Sequence, residues 1–444
     1  MTNTYDWLVI GGGLTGAALA YELQKIGLAV VVIESQPLLP RRPGLDVFPL
    51  APNTSNHISA HTNTYPKTAT SSSYGGIPYW AAHNPTMAQF AQQSWQRYGE
   101  LATELVSETL PDLELRTLDL LLTVGEAAPI PELFAYDPAN GARTKLSWLS
   151  RAEVIDLEPA LAQAHPQILK GALLAKHGHI NPIKLVQGYL QSFQRLGGEI
   201  IPAQALALKR DGCRVVGIET DQGDFYAMDL AICGGAWSRR LLQESGIPSL
   251  AEVIYFTHAE VLLMSPPASV TMPQAMVLPA VTDRFAIESA ATTPEQRHHW
   301  QDDNHEFLPS SLDIGVIPFL DGTLRFGQVS RVHSNPDLVI EPHQSEAMLR
   351  EGMKLLLPQL HQLPAHWDHS LVAFSQDSLP LVGALPEPSN VHLFTGFTTP
   401  FAYVPGLAAA FAANCVASAV RNAPMSPQAM LQELSPTRFL TEAH

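Results

Sequence analysis

Apolar residues near the amino terminus fall in three successive patterns: an unbroken run, a helical spacing and a second unbroken run. Leu8, Val9 and Ile10 have the continuous hydrophobicity of a strand buried on both faces. Leu14 to Ile26 carries Ala17, Ala18 and Ala20, small residues suited to close packing of a helix on a sheet, and Gly27 is its stop. Ala29 to Ile33 is the second strand, with Glu34 at its end. Between the first strand and the helix, Gly11, Gly13 and Gly16 take the G-x-G-x-x-G spacing of a dinucleotide site. The first glycine permits the tight turn, the second lets a phosphate approach the backbone, and the third lets helix and strand touch. The first amides of the helix then face the anion with free N–H groups. Glu34, about twenty residues on, accepts hydrogen bonds from both ribose hydroxyls and repels a 2′-phosphate, which disfavours NADP.

Beyond Glu34 the periodicity disappears. The stretch from Ser35 to Trp80 is rich in Pro, Ser, Thr and Asn, and a loop of such length is usually functional or disordered. It ends in SSSYGGIPYW, whose small residues suit backbone lying against a flat ligand. An amphipathic helix is predicted over Thr86–Glu108, a strand over Leu115–Gly125, a short helix over Leu149–Leu161 and an amphipathic helix over Lys184–Gly198. The stretch ALALKRDGCRVVGIETDQGDFYAMDLAICGGAWS alternates through three short strands, with turns at Asp211-Gly212 and Asp221–Gly223. It is a β-meander that returns to a central strand. Val253–Met264 and Ile314–Val329, the latter folded at Asp321-Gly322, alternate as strands of an antiparallel sheet separate from the first. Helical spacing returns at Gln344–Leu357, and again at alanine-rich Gly406–Val420, which is too short to cross a bilayer.

A chain of 444 residues with 46% hydrophobic content holds two domains or one large interwoven α/β body. The net charge of −16 argues against nucleic acid or an anionic membrane as a main partner. Cys213, Cys233 and Cys415 are widely spaced and form no C-x-x-C pair, so neither disulfides nor a zinc site is expected, and a reducing cytoplasm is the natural compartment. No basic–apolar–small signal opens the chain, and no transmembrane segment is expected. His177-x-His179, His366-x-x-His369 and His298-His299 lack an accompanying carboxylate or cysteine cluster and read as surface or loop histidines, so no metal is expected.

Four separated elements, in order, resemble the FAD-dependent amine and amino-acid oxidase family that includes D-amino-acid, glycine and sarcosine oxidases. They are VIGGGLTG…VVVIE, the SSSYGGI segment, GHINPIKLVQGYLQSFQRLGGEI leading through the meander to CGGAWS, and DSLPLVG…TGFTTP…PGLAAA. The resemblance implies a Rossmann-type FAD-binding domain with a β-meander, interwoven with an α+β substrate domain on an antiparallel sheet. Residues 1–85, 150–248 and 370–430 are assigned to the first, 86–149 and 249–369 to the second, and 431–444 to a tail. It further implies non-covalent FAD in an extended form, because HSLVAFSQD lacks the cysteine of the family's covalent linkage. Gly11, Gly13, Leu14, Thr15 and Gly16 would lie under the pyrophosphate, with Glu34 on the adenosine ribose and Ser35 beside it. Arg41 or Arg42 matches a basic position of relatives. Ser72, Ser73, Gly75 and Gly76 would approach the flavin, Leu206 the adenine through its backbone, and Gly234, Gly235 and Trp237 would close the nucleotide pocket. Gly396, Phe397 and Thr398 would face the pyrimidine edge.

The chain departs from the family where relatives hold a substrate carboxylate with arginine. Phe319 and Val372 stand at those two positions, and Pro400 and Phe401 replace a usual glycine. Phe319, Val372, Phe401 and Tyr403 are therefore assigned to a substrate pocket fit for an amine bulkier or less anionic than a simple small amino acid. Arg325, Arg331 and Arg284 are the alternative carboxylate partners, and His258 is the one catalytic candidate. The implied reaction is hydride removal from the carbon beside an amine nitrogen to flavin, giving an imine that hydrolyses, with O2 or a quinone as electron acceptor. Competing readings are a flavoprotein of the same fold acting as a binding or assembly partner, an NAD-dependent dehydrogenase, and an oxidase of modified tRNA, the last disfavoured by the acidic charge.

Overall fold

The unbroken apolar runs pair with each other, as strands without a polar face must. In the computed structural model, which describes residues 4–36, 67–82, 85–136, 143–302, 304–417 and 431–439, Thr4–Ile10 is flanked in parallel by Val30–Glu34 and Gly223–Ile232. Glu199–Pro202 extends the sheet beyond Val30–Glu34. On the other side Gly223–Ile232 divides its free edge. Its first half pairs antiparallel with Arg214–Thr220 of the meander, and its second half pairs in parallel with Val391–Thr395. Helices Leu14–Lys25, Pro182–Arg195 and Pro400–Ala417 cover one face. Pro182–Arg195 starts where the sequence says it should: Asn181 accepts from the amides of Ile183 and Lys184, and Pro182 fills the first turn.

The second sheet runs Lys67–Thr68, Ala365–Ser375, Ile254–Met264, Leu324–Val332, Ser311–Pro318, Met276–Pro279, Arg116–Val124, Gly171–His179, Gly76–Ile77. It is antiparallel apart from two neighbours, Met276–Pro279 beside Arg116–Val124 and Lys67–Thr68 beside Ala365–Ser375, which pair in parallel. One face is covered by helix Pro342–Leu356, through Leu349, Met353 and Leu356 against Leu121, Leu262 and Val277. The other carries Leu120, Leu122, Leu173, Ala175 and Met276, packed with Trp80.

This pairing corrects the expected segment boundaries. Gly171–His179, assigned to the nucleotide domain with 150–248, pairs along its whole length with Arg116–Val124 of the second sheet. A boundary at 370 cuts through Ala365–Ser375, which pairs without a break with Ile254–Met264. Lys67–Thr68 and Gly76–Ile77 from the first segment also join the second sheet. Helix Pro85–Glu104 goes the other way. Its Met87, Phe90, Tyr98 and Leu101 share a core with the nucleotide-side helices, and Tyr98 donates to the carbonyl of Phe401 at 2.8 Å. The segment after 430 is docked as far as 439: Leu434 is buried, its carbonyl accepts from the Val382 amide, and Arg438 pairs with Asp377 at 2.8 Å. Helix Asp283–Ala291 was not legible in the sequence. It lies across the second sheet, its first amides on Asp313 and its Glu288 on Thr257.

Candidate active site

Where the first strand gives way to its helix, the glycines are required by distance. A Cβ on Gly16 would stand 1.8 Å from the carbonyl oxygen of Gly11. Gly11 has φ +100° and lies against the Cys233 carbonyl, where a Cβ would come within 2.8 Å. Gly13, the residue before the helix, supplies no side-chain cap, so the first-turn amides after Leu14 are left for an anion. Glu34, on the neighbouring strand, accepts from the Gly12 amide at 2.6 Å and from the Gln36 amide at 2.7 Å. Thr70 meets the Leu14 amide at 3.2 Å. Its position beside the turn was not legible in the sequence, because the long polar segment before it carries no periodicity.

From this turn one cavity of about 1980 Å³ runs to the second sheet, roughly twice the upper end of the range for pockets that take one drug-sized ligand. Gly11, Gly13, Leu14, Thr15, Glu34 and Ser35 line one end, with Leu206 beyond them. Gly234, Gly235 and Trp237 form its side. Ser72, Ser73 and Gly76 line it too, as do Gly396, Phe397 and Thr398. Gly16 and Gly75, also expected against the cofactor, do not line the cavity. Gly75 has φ +71°, and a Cβ there would meet the Ile180 carbonyl at 2.1 Å. Ser72 donates to Asp368 at 2.8 Å. Arg41 and Arg42 lie outside the described residues. The uncapped helix terminus, the glycine cradle, the Glu34 carboxylate and the volume of the cavity together fit FAD.

The far end is a chamber with mostly apolar walls. Leu120, Leu122, Met276 and Leu278 come from the second sheet, Trp80 from the turn after Gly76–Ile77, and Phe401 and Tyr403 from the start of the last long helix. Val372 also lines the cavity. Phe319 does not: it sits behind the wall, under the Arg325 guanidinium at 4.4 Å and against the His179 ring. Of the three arginines considered for a carboxylate, Arg284 alone lines the cavity. Its Nε donates to buried Glu288 at 2.8 Å and its Nη2 is sealed off without a partner, so Nη1 is the nitrogen left to face the cavity.

His258 is corrected by strand alternation. Ala259 and Val261 face the cavity, so His258 points to the opposite face, among Phe256, His333 and His369. There its Nε2 donates to the Asn335 carbonyl and its Nδ1 meets His369 Nε2, both at 3.0 Å. Burial lowers His258 to about 3 and His369 to about 4, so the pair is neutral and structural.

His177 and His179 are likewise not surface residues. Both are buried on Gly171–His179, and burial lowers each to about 3. His179 accepts from Arg116 at 3.2 Å. His177 lines the chamber and accepts from Trp80 Nε1 at 3.2 Å. The signal that could have found it is the alternation Leu173, Ala175, His177 on one face of the strand. His299, Asp302 and His305 converge to within 4.8 Å of one another, but none of them lines the cavity.

Comparison with known proteins agrees with this geometry. The model of the family described as "FAD dependent oxidoreductase" matches residues 6–414. Glycine oxidase of Bacillus subtilis (strain 168) is 23% identical over 248 residues, 56% of this chain and 58% of that protein. The 4-methylaminobutanoate oxidase (formaldehyde-forming) of Paenarthrobacter nicotinovorans is 27% identical over 259 residues, 57% of this chain and 27% of the relative. These sequence matches thus span less than two thirds of the relatives' lengths. The crystal structure of glycine oxidase from Geobacillus kaustophilus superposes with a TM-score of 0.69 at 20% identity, over 98% of this chain and 99% of the other. With its dinucleotide turn, its second sheet and nearly its whole length inside one family pattern, this chain belongs to the FAD dependent oxidoreductase family.

Proposed function

We propose that this protein oxidises a C–N bond of an amine or amino acid, with non-covalently bound FAD. The observation that carries the reading is the single cavity that joins the dinucleotide turn to the apolar chamber. The relatives named glycine oxidase and 4-methylaminobutanoate oxidase support amine oxidation as the reaction class. Bound FAD supplies the hydride acceptor, leaving an imine that water hydrolyses. The chain's own residues bind, orient and exclude water. The first turn of Leu14–Lys25 would hold the diphosphate, and Glu34, fixed by the Gly12 and Gln36 amides, would accept from the ribose hydroxyls. Leu120, Leu122, Met276, Leu278 and Trp80 keep the reacting carbon dry. Arg284 offers a cation to a substrate carboxylate from helix Asp283–Ala291. Cys233 lines the cavity, but burial pushes its thiol up, so it is a poor nucleophile for a flavin bond.

The test begins with purified protein, which is expected to be yellow and to release its colour into the supernatant on acid precipitation. An anaerobic panel of primary amines, N-methylamines and amino acids is then expected to bleach the visible flavin band. Reoxidation by O2 or by a quinone identifies the acceptor. A yellow protein that no amine bleaches would favour the other reading, a flavin-binding assembly partner of the same fold.

A further inference from the structure

We propose that His177 is a substrate-positioning residue: held by Trp80 with its proton on Nε2, it presents an uncharged hydrogen-bond donor to an acceptor oxygen on the substrate. The inference deepens the amine-oxidation reading and rests on the same chamber.

Indole Nε1–H only donates, so the 3.2 Å contact from Trp80 Nε1 makes His177 Nδ1 the acceptor. A neutral imidazole accepting at one nitrogen carries its proton on the other. Neutrality follows from burial: His177 is 4% exposed, and desolvation favours the uncharged ring. The two rings are fixed edge to face, 6.1 Å between centroids at 76°, so the tautomer and the direction of the donor are set together. Nε2 lies against Gly76, where a Cβ would come within 2.7 Å. Gly76, Met276, Leu120 and Trp80 line the cavity around it. No hydrogen bond from Nε2 to another described residue is seen, and the nitrogen is not among the sealed, unsatisfied atoms. The donor is therefore reached from the chamber.

A neutral donor among Leu120, Leu122, Met276 and Leu278 suits a carbonyl, amide, ester or ether oxygen more than a carboxylate, which gains more from the Arg284 guanidinium. The substrate class is thus an amine with an apolar body and an uncharged acceptor oxygen beyond the reacting C–N bond.

Binding of two isosteric probes to the flavin-loaded enzyme tests this without turnover. Acetophenone presents a carbonyl oxygen where α-methylstyrene presents a methylene group. Flavin-absorbance titration of the wild type is expected to show roughly three- to tenfold tighter binding of acetophenone. His177→Phe is expected to abolish the preference while keeping affinity for α-methylstyrene, and His177→Gln, which restores an N–H donor, to recover part of it. Should those variants fail to fold, imidazole 15N–1H correlation spectra of the wild type must show the Nε2–H form at His177, and Trp80→Phe must disturb it. Equal affinity of the wild type for the probes, no binding of either, a preference surviving in His177→Phe, or an Nδ1–H tautomer overturns the proposal. A wild type that prefers acetophenone yet is bleached by no amine would overturn the oxidation reading alone.

Discussion

Two side-chain-scale decisions control the site. At Gly16 a single added methyl group would occupy the Gly11 carbonyl, with 1.8 Å between them. Gly16→Ala is therefore expected to pull the helix off the turn and yield protein without visible flavin absorbance, which a spectrum of the purified variant reads directly. Arg284 is the second. A charge-assisted bond to a carboxylate is worth roughly 1.5–3 kcal/mol. Arg284→Ala is expected to raise KM for a carboxylated substrate about 10- to 100-fold while leaving a neutral amine unaffected, with partial recovery in Arg284→Lys. An equal effect on both substrates would mean that Arg284 acts only through Glu288, to which its Nε is bonded at 2.8 Å. Both glycine and arginine were visible as residue types. That Phe319 leaves the wall while Arg284 enters it was not, because the helix carrying Arg284 has only nine residues and weak apolar periodicity.

Between elements, the strongest polar fastening joins helix Pro85–Glu104 to Leu14–Lys25. Arg97, with a side chain 8% exposed, reaches Glu22 at 2.7 Å, Glu100 at 2.6 Å and Glu104 at 2.8 Å. Removing Arg97 strands the buried Glu22 carboxylate in a low-dielectric seam, so Arg97→Ala is expected to lower stability by about 3–5 kcal/mol in urea unfolding. Glu104 is lowered to about 2, first by its bond from Arg97. Because the folded state holds this carboxylate more strongly ionised than the unfolded chain does, its contribution is complete above pH 4.5 and disappears as pH falls toward 2. The existence of both helices was legible from their apolar spacing. Their docking was not: the 86–149 segment was expected to lie with the second sheet, yet Tyr98 and Leu101 are buried in the nucleotide-side core. A helix reveals which stripe it buries before it reveals against what.

For the whole molecule, five buried histidines tie stability to pH, with His333 lowered by burial alongside the four that follow. His177, His179 and His258 are lowered from 6.5 to about 3, and His369 to about 4, in each case chiefly by burial. Between those values the unfolded chain takes up protons that the folded one refuses, so stability falls as pH falls from 6.5 toward 4. Each histidine contributes up to about 1.4 kcal/mol per pH unit in that window. Urea unfolding midpoints should therefore drop steeply below pH 6.5; a flat profile would show that these rings are protonated in the fold. Their burial comes from the interweaving itself, since His177 and His369 lie on strands placed beside segments distant in sequence, Arg116–Val124 and Ile254–Met264.

The sequence by itself determined the elements whose cause is local. An apolar run, three glycines at fixed spacing and a carboxylate at the next strand's end specify the dinucleotide turn through backbone sterics and a helix terminus, whatever lies elsewhere. The meander, with its Asp-Gly turns, is equally local. Tertiary structure decided which sheet Gly171–His179 joined, which face His258 took and which arginine reached the cavity. The physical reason is that a strand's alternation defines two faces without naming either neighbour. Only pairing across the chain, with the burial that follows, assigns one face to the chamber and the other to the core.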